Sequence, residues 1–387
     1  MRAIREKNPQ RRVCYVTGTR AEFGLMQSTL RAIVHHPLLQ LQLIVTGMHL
    51  DRSRGRSVDA IRREWKFDAI VPWPRGSGDE TANAIATGKA TAHMAALFEK
   101  LNTDVVLVAG DRVEPFAAAT AGHLSGRLVA HVHGGDRALG LVDDSLRHAI
   151  TKLAHVHFPA TKLSADRIER MGEDRWRIFR VGSPGLDGIR SLAESRSELA
   201  EEFPGFRPRQ FALLVLHPEN PDPPTQRESA ELVLRCVQSV GFERIVIVYP
   251  NNDPGSDGIA GYWDAVEPNH RHVLRRDIPR ALFLGLMREA AVLVGNSSSG
   301  IIEAASFGTP VLDIGARQAG RERGENVSHA NLNERAICKQ LRRIWNEGSP
   351  IRYPAKNIYG TDGAGAQIAS ALTRVTIDRF RRKLIRY

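Results

Sequence analysis

The chain reads as an α/β protein made of two doubly wound, Rossmann-like halves. Short apolar, β-branched runs alternate with helix-like stretches, which is the pattern of parallel βαβ units. The alternation occurs twice, in two series separated by a stretch where it is lost. In the first series the strand-like runs are RVCYVTG (Arg12–Gly18), LQLIVTG (Leu41–Gly47), DVVLVAG (Asp104–Gly110) and RLVAHVHG (Arg127–Gly134). Helical patterns fall between and after them, at Ala21–His35, Pro115–Leu124 and Leu146–Ala154. The second series opens with QFALLVLHPEN (Gln210–Asn220), followed by a helix from about Pro224 to Val240. RIVIVYPNND, AVLVGNSS and TPVLDIG continue it. The junction is expected in Gly188–Arg209, where Ser, Glu, Pro and Arg replace the strand pattern. This predicts domains over residues 1–188 and 189–365, with a basic helical tail, 366–387, packing back on the first.

Composition bounds the function. With 387 residues, 42% hydrophobic and 25% charged, the chain can bury the core of two domains. No apolar stretch reaches the roughly 18 residues that span a bilayer. The basic leader Met1–Arg12 runs into an apolar segment too short for a signal peptide, so a cytoplasmic protein with no membrane partner is expected. Cys14, Cys236 and Cys338 are far apart and odd in number, against a disulfide framework or a cysteine metal site. The net charge of +11 invites a nucleic-acid reading, but the basic clusters at Arg52–Arg56, Arg317–Arg323 and Arg379–Arg386 are scattered and aromatics make up only 6%. A phosphorylated small substrate explains the same charge, and no nucleic-acid partner is expected.

Two acid-bearing turns each follow an apolar strand: GDRVE at Gly110–Glu114, and HGGDRALGLVDDSLRH at His133–His148. They bring four carboxylates (Asp111, Asp136, Asp143, Asp144) and three histidines (His131, His133, His148) to strand ends, where open α/β sheets place their ligands. One such turn reads as well as a local Asp111–Arg112 ion pair, and Asp143–Asp144 as a helix cap. Two in succession, each introduced by glycine, point to proton chemistry.

Two further turns suit phosphate. In VTGTRAEFG (Val16–Gly24) a strand ends in Gly-Thr-Arg and a helix starts, so backbone N–H groups, the helix dipole and Arg20 can face one anion. In GNSSSGIIEAA (Gly295–Ala305) a Ser-rich loop feeds a helix, its hydroxyls suited to a diphosphate and Glu303 to a ribose diol. A capping box between serine and Glu303 accounts for the second pattern equally well. His217 follows the strand that opens the second half, YPNNDPGSDG supplies a polar turn, and Arg317, Gln318, Arg321 and Arg323 can complement diphosphate charge.

The ordered motifs TGTRAEFG, VTGMHL, GDRVE, HVHGGD, DDSLRHAITKLAHVHF, MGE, VGSPGLD, HPEN, YPNNDPGS, GNSSSGIIEA and ARQAGRERGENV resemble the hydrolysing UDP-N-acetylglucosamine 2-epimerases of sialic-acid and related nonulosonic-acid biosynthesis. The resemblance covers about Arg12 to Val327. It implies a GT-B-like fold with a nucleotide sugar in the interdomain cleft, conversion of UDP-GlcNAc and water to N-acetylmannosamine and UDP, no NAD or metal, and a homo-oligomer, dimer or tetramer. It implies further that Asp111, Asp136 and Asp143 or Asp144 form the acid/base set, with His217 near the leaving group. On this resemblance Arg20, Glu22, Arg112, Glu114, His148, Asn251, Asn252, Ser297, Ser298, Ser299, Gly300, Glu303, Arg317 and Arg321 contact substrate. The chain departs from the usual HGGE: Asp136 is one methylene shorter, which admits a UDP-2,4-diacetamido-trideoxy sugar or a GDP-linked sugar as substrate. A metal-dependent hydrolase built on His131 and His133, and a GT-B glycosyltransferase, are the rival enzyme classes. A nucleotide-sugar sensor is disfavoured, since binding an anion gains nothing from clustered acids.

Overall fold

A computed structural model describes residues 10–50, 57–73, 80–137, 143–250, 253–276 and 278–386, with the side chains of residues 80 and 143 excepted. The chain divides into two compact units: one takes the chain up to Asp187 and the returning tail from Tyr359, the other is built on Gly188–Ile358.

The first unit runs β1 (Arg11–Thr17), α1 (Arg20–His35), β2 (Leu39–Val45), α2 (Val58–Glu64), β3 (Ala69–Ile70), α3 (Glu80–Lys100), β4 (Val105–Ala109), α4 (Val113–Leu124), β5 (Leu128–Val132), α5 (Asp143–Leu153), β6 (Val156–Phe158) and α6 (Lys162–Arg170). The second runs α7 (Ile189–Leu192), α8 (Arg196–Glu202), β7 (Phe211–Val215), α9 (Pro223–Gln238), β8 (Arg244–Val248), α10 (Ser256–Ala265), β9 (His272–Arg275), α11 (Arg280–Glu289), β10 (Val292–Gly295), α12 (Ser298–Ile302), β11 (Val311–Ile314), β12 (Val327–Ala330) and α13 (Glu334–Trp345). Helices α14 (Ala364–Arg374) and α15 (Ile377–Arg381) return to the first unit. Among the described residues no helix is long and apolar enough to cross a membrane.

Each unit holds one six-stranded sheet, ordered β3-β2-β1-β4-β5-β6 and β12-β11-β10-β7-β8-β9, with every pairing parallel. Counted within each unit, both have the doubly wound Rossmann order, which reverses direction between the first and fourth strands and opens a crevice at their carboxyl ends. Helices cover both faces, so the strands are apolar without alternation. Val13 and Tyr15 pack in one core layer while Cys14 and Val16 pack in the other; in the second unit Ala212 and Leu214 face one side, Leu213 and Val215 the other.

Local chemistry sets the helix starts. Thr19 and Glu22 form a capping box on α1, Ser195 and Glu198 one on α8, and Asp222 caps α9 with proline in the first turn. The tail is anchored by charge as well as packing: the Asp187 carboxylate accepts the N–H groups of Gly363, Ala364 and Gly365 at 2.7–2.9 Å, capping α14 against α1.

Two glycines separate propensity from packing. A Cβ on Gly258 in α10 would lie 1.9 Å from the Pro223 carbonyl oxygen, whereas one on Gly88 in α3 would meet nothing within 4 Å. Gly88→Ala is therefore expected to stabilise the protein by about 0.5–1 kcal/mol through helix propensity. Gly258→Ala should destabilise it by roughly 2 kcal/mol or more through the forced separation of α9 and α10. Urea denaturation of the two variants checks the opposite signs.

Candidate active site

In the first unit the reversal of strand order puts the ends of β1 and β4 side by side, so the Gly18 and Asp111 turns are neighbours. Between them lies Glu114, in the first turn of α4 and only 3% exposed. The backbone makes room for it: a Cβ on Gly18 would sit 2.7 Å from Glu114 Cγ, and one on Gly47, whose φ is +59°, 2.5 Å from Glu114 Oε1. Among the described residues Glu114 Oε2 accepts no hydrogen bond, and it faces Arg112 Nε at 3.8 Å.

The Gly18 turn differs from the sequence expectation. Two of its N–H groups are not offered to an anion, because Glu22 Oε1 accepts them from Gly18 at 2.5 Å and Thr19 at 3.4 Å. The reason is the capping box, which brings the acid back over the helix start; the exposed Arg20 side chain keeps the positive charge there. Burial, and then the neighbouring Glu114, push the Glu22 carboxyl up to about 7, against the two backbone hydrogen bonds that favour its charged form.

The acids after β4 and on α5 meet on one arginine. Arg147, on α5 and 1% exposed, donates to Asp111 Oδ2, to Asp144 Oδ1 at 2.8 Å and to the Asp136 carbonyl at 3.1 Å. Asp144 also faces His148 Nε2 at 3.4 Å, and burial lowers the His148 pKa. Asp143 is the first residue of α5, and its side chain lies outside the described residues.

Asp136 is held separately. The turn that delivers it needs Gly135, whose φ is +76° and whose Cβ would lie 2.3 Å from the Ser164 carbonyl oxygen. Ser164 donates to Asp136 Oδ1 at 2.7 Å and His133 Nδ1 faces Oδ2 at 3.2 Å, so both carboxylate oxygens are engaged. His133, itself at φ +62°, is pinned on its other side by Ser183 Oγ, 3.0 Å from Nε2. His131 turns elsewhere: Nε2 meets the Gly110 carbonyl at 2.8 Å and Nδ1 the Thr151 hydroxyl at 3.2 Å. Burial holds its pKa at about 3, so it is neutral and donates to Gly110 through Nε2. His131 and His133 thus have different partners, and among the described residues no group of three or more His, Cys, Asp or Glu is placed to hold a metal ion.

The second unit repeats the topology with different chemistry. The ends of β7 and β10 are clipped together by Asn296, which accepts from the His217 N–H at 2.7 Å and donates to the His217 carbonyl at 2.9 Å. Burial, and then Arg317, push the His217 pKa down to about 3, with Asp253 opposing, so the ring is neutral at pH 7. Ser297 caps α12, its hydroxyl 2.9 Å from that of Ser299, while Ser298 and Ser299 stand half-buried in the first turn. Gly300 has a packing reason: a Cβ there would lie 3.0 Å from Val311 and 3.2 Å from Leu293.

Glu303 does not close a capping box, because α12 starts at Ser298 and the box position falls on Gly300; Glu303 ends the helix and pairs with Arg280 at 2.9 Å. Arg317 is anchored by Asp253 at 3.0 Å, and its N–H and that of Ala316 go to Glu219 Oε1 at 2.9 and 2.7 Å. Arg321 sits half-buried in the same turn, and Asn251 and Asn252 lie outside the described residues.

Arg147, Ser164 and Ser183 were not among the sequence candidates, and His133, expected only as a metal ligand of the rival hydrolase, instead orients Asp136. The HGG turn and the DDSLRH run were visible, but nothing in sequence spacing indicates that an arginine between two acids points inward.

The profile of a family described as UDP-N-acetylglucosamine 2-epimerase matches residues 31–373. The chain is 37% identical to the UDP-N,N'-diacetylbacillosamine 2-epimerase (hydrolyzing) of Legionella pneumophila, over 90% of this chain and 92% of that one. It is 33% identical to the UDP-N-acetylglucosamine 2-epimerase of Neisseria meningitidis, over 87% and 88%. A crystal structure of UDP-GlcNAc 2-epimerase from Neisseria meningitidis bound to UDP-GlcNAc has the same fold, with a TM-score of 0.80 over 94% of this chain and 100% of that one at 19% identity.

Two outcomes follow from this geometry. Removing the shared cation by Arg147→Met should destabilise the protein by roughly 2–4 kcal/mol in chemical denaturation, the lower end reflecting solvent screening at the partly exposed acids. For Glu22, the folded pKa is raised from 4.5 to about 7, so the folded state holds the proton more tightly than the unfolded one across that window. Stability is then lost as pH rises from 4.5 through 7, and Glu22→Gln should flatten that slope in denaturation midpoints measured at several pH values.

Proposed function

The chain belongs to the UDP-N-acetylglucosamine 2-epimerase family, and we propose that it is the hydrolysing type, taking UDP-GlcNAc and water to N-acetylmannosamine and UDP. The observation that carries this reading is the set of carboxylates gathered on the buried Arg147 at the carboxyl ends of β4 and β5.

The chemistry asks for what these residues offer. A carboxylate takes the proton from C2, the C1–O bond breaks, and its electron pair leaves with UDP, giving a glycal. Water then adds across the double bond: its oxygen to C1 and a proton to C2 on the opposite face, which inverts C2. The C2 proton is weakly acidic, so the base must be fixed and within hydrogen-bond reach. Asp111 and Asp144 are the accessible members, their side chains 24% and 32% exposed. Arg147 pairs with both and sets their orientation. Asp136 is the third member proposed for the acid/base set, its shorter arm held by Ser164 and His133, and Asp143 is the alternative to Asp144.

The leaving diphosphate is assigned to the second unit. Ser297, Ser298 and Ser299 hold it at the start of α12, and Glu303, oriented by Arg280, takes the ribose diol. His217, neutral and fixed by Asn296, donates a hydrogen bond to the departing oxygen. Arg20, Arg317 and Arg321 supply charge; Glu22, Arg112, Glu114 and His148 are the further substrate contacts proposed for the first unit, and Gly300 one for the second.

A second reading rests on the 37% identity to the Legionella enzyme: the same reaction on UDP-N,N'-diacetylbacillosamine. Proton NMR in deuterated water with each UDP-sugar separates the two. The expected result is UDP release with a C2-deuterated, C2-inverted sugar from UDP-GlcNAc. Turnover of the diacetamido substrate alone would transfer the assignment to the second reading, and release of UDP without deuterium at C2 would reject both. Asp111→Asn should lower kcat by about 10²–10⁴-fold, the range for loss of a positioned acid/base.

A further inference from the structure

The helix that carries Asp144, Arg147 and His148 ends at Leu153, where its last carbonyls need partners. They find one from the far end of the chain. Lys383 Nζ donates to the carbonyls of Lys152 and Ala154, each at 2.6 Å, and approaches that of Thr151 at 3.1 Å. Its ammonium also pairs with Glu173 Oε2 at 2.8 Å. Glu173 has no exposed side-chain surface and binds Lys152 at 2.7 Å and His157 at 3.2 Å through its two oxygens. Burial alone would raise the Glu173 pKa, but hydrogen bonds from His157, Lys152 and Lys383 bring it down to about 2.

The tail that brings Lys383 here is itself fixed. Buried Arg177 donates to the carbonyls of Phe380 at 2.8 Å and Arg382 at 2.5 Å. Phe380 packs edge-on against Trp176, with ring centroids 4.6 Å apart. The N–H of Arg386 bonds the Gly172 carbonyl at 3.0 Å, a contact close enough that a Cβ on Gly172 would lie 2.6 Å from Ile385.

The turn of α5 capped by Lys383 is also the one that braces the other acid turn. The Thr151 hydroxyl stands 3.0 Å from the Arg147 carbonyl and 3.2 Å from His131 Nδ1, and His131 Nε2 holds the carbonyl of Gly110, the residue before Asp111. We propose that the C-terminal tail is a positioning clamp for the acid-bearing elements: Lys383 fixes the C-terminal end of α5 and, through Thr151 and His131, the placement of the Asp111 turn. That these acids perform the chemistry rests on the proposed function; that the tail fixes α5 does not.

The clamp has a pH dependence of its own. Burial lowers the Lys383 pKa from 10.5 to about 8, with Glu173 opposing and Lys152 and Arg177 adding to it. His155 and His157, which also face the lysine, are held neutral by burial. Below about 8 the ammonium offers three N–H donors and a charge that favours a helix C-terminus; above it the amine loses both the charge and one donor.

Lys383→Met in the full chain tests the proposal, with hydrogen exchange of the α5 amides read against those of α1, and kcat and KM measured from pH 6.5 to 9.5. The expected result is faster exchange confined to the C-terminal half of α5, kcat lower by on the order of tenfold and KM within about twofold. Wild-type kcat should fall as pH rises through about 8, while the variant stays flat at the lower level. Lys383→Arg, which keeps a charged donor, should recover part of kcat. Unchanged α5 exchange in Lys383→Met would overturn the clamp, as would loosened α5 with wild-type kcat. If the wild type turns over neither UDP-sugar, the proposed reaction fails while the exchange result still decides whether Lys383 holds α5.

Discussion

One buried cation organises the first unit. Two carboxylates and the carbonyl of a third acid converge on the Arg147 guanidinium, which has almost no contact with solvent. Removing such a charge from water is costly unless several acceptors surround it. Asp111, at the end of β4, and Asp144, one residue into α5, come from separate βαβ units, so the arginine couples the placement of those units. The planar guanidinium suits this task because its donors diverge in fixed directions.

The two units show how far one topology can be turned to different chemistry. Both are six-stranded parallel sheets with the reversal between the first and fourth strands, and both place polar turns at that crevice. In the first unit the turns carry acids, and the glycines there make room for Glu114. In the second they carry serine hydroxyls, a neutral histidine clipped by Asn296, and arginines held in place by Asp253 and Glu219. In the proposed reaction the eliminated proton would use the first environment and the departing diphosphate the second. The fold supplies the crevice, and the turn residues supply the sign of the charge.

Much of the fold was legible in the strand pattern. The eight apolar runs read as strands are β1, β2, β4, β5, β7, β8, β10 and β11, the inner and next-to-inner strands of both sheets. The edge strands β3, β6, β9 and β12 were not recognised. They are two to four residues long, and all but β6 are incompletely buried, so they lack the long unbroken apolar run that burial on both faces imposes. The acid turns and the serine turn were visible because glycine, Asp and Ser cluster after strands. The Gly18 turn was read as open to an anion, although the TxxE spacing of Thr19 and Glu22 is the capping-box signature that closes part of it.

By itself, then, the sequence determined the fold class, the two series of βαβ units, the positions of the turns that bear chemistry and the family. All of these follow from local pattern: the period of burial, the turn residues and motif order. What only the tertiary structure decided is which side chain meets which. Arg147 between two acids, Ser183 and Asp136 on either side of His133, Gly300 as a packing residue and Lys383 beneath the end of α5 are contacts between residues as much as 232 positions apart. Such pairings arise from how helices settle onto the sheet and from the need to satisfy every buried charge. No periodicity in one dimension encodes them.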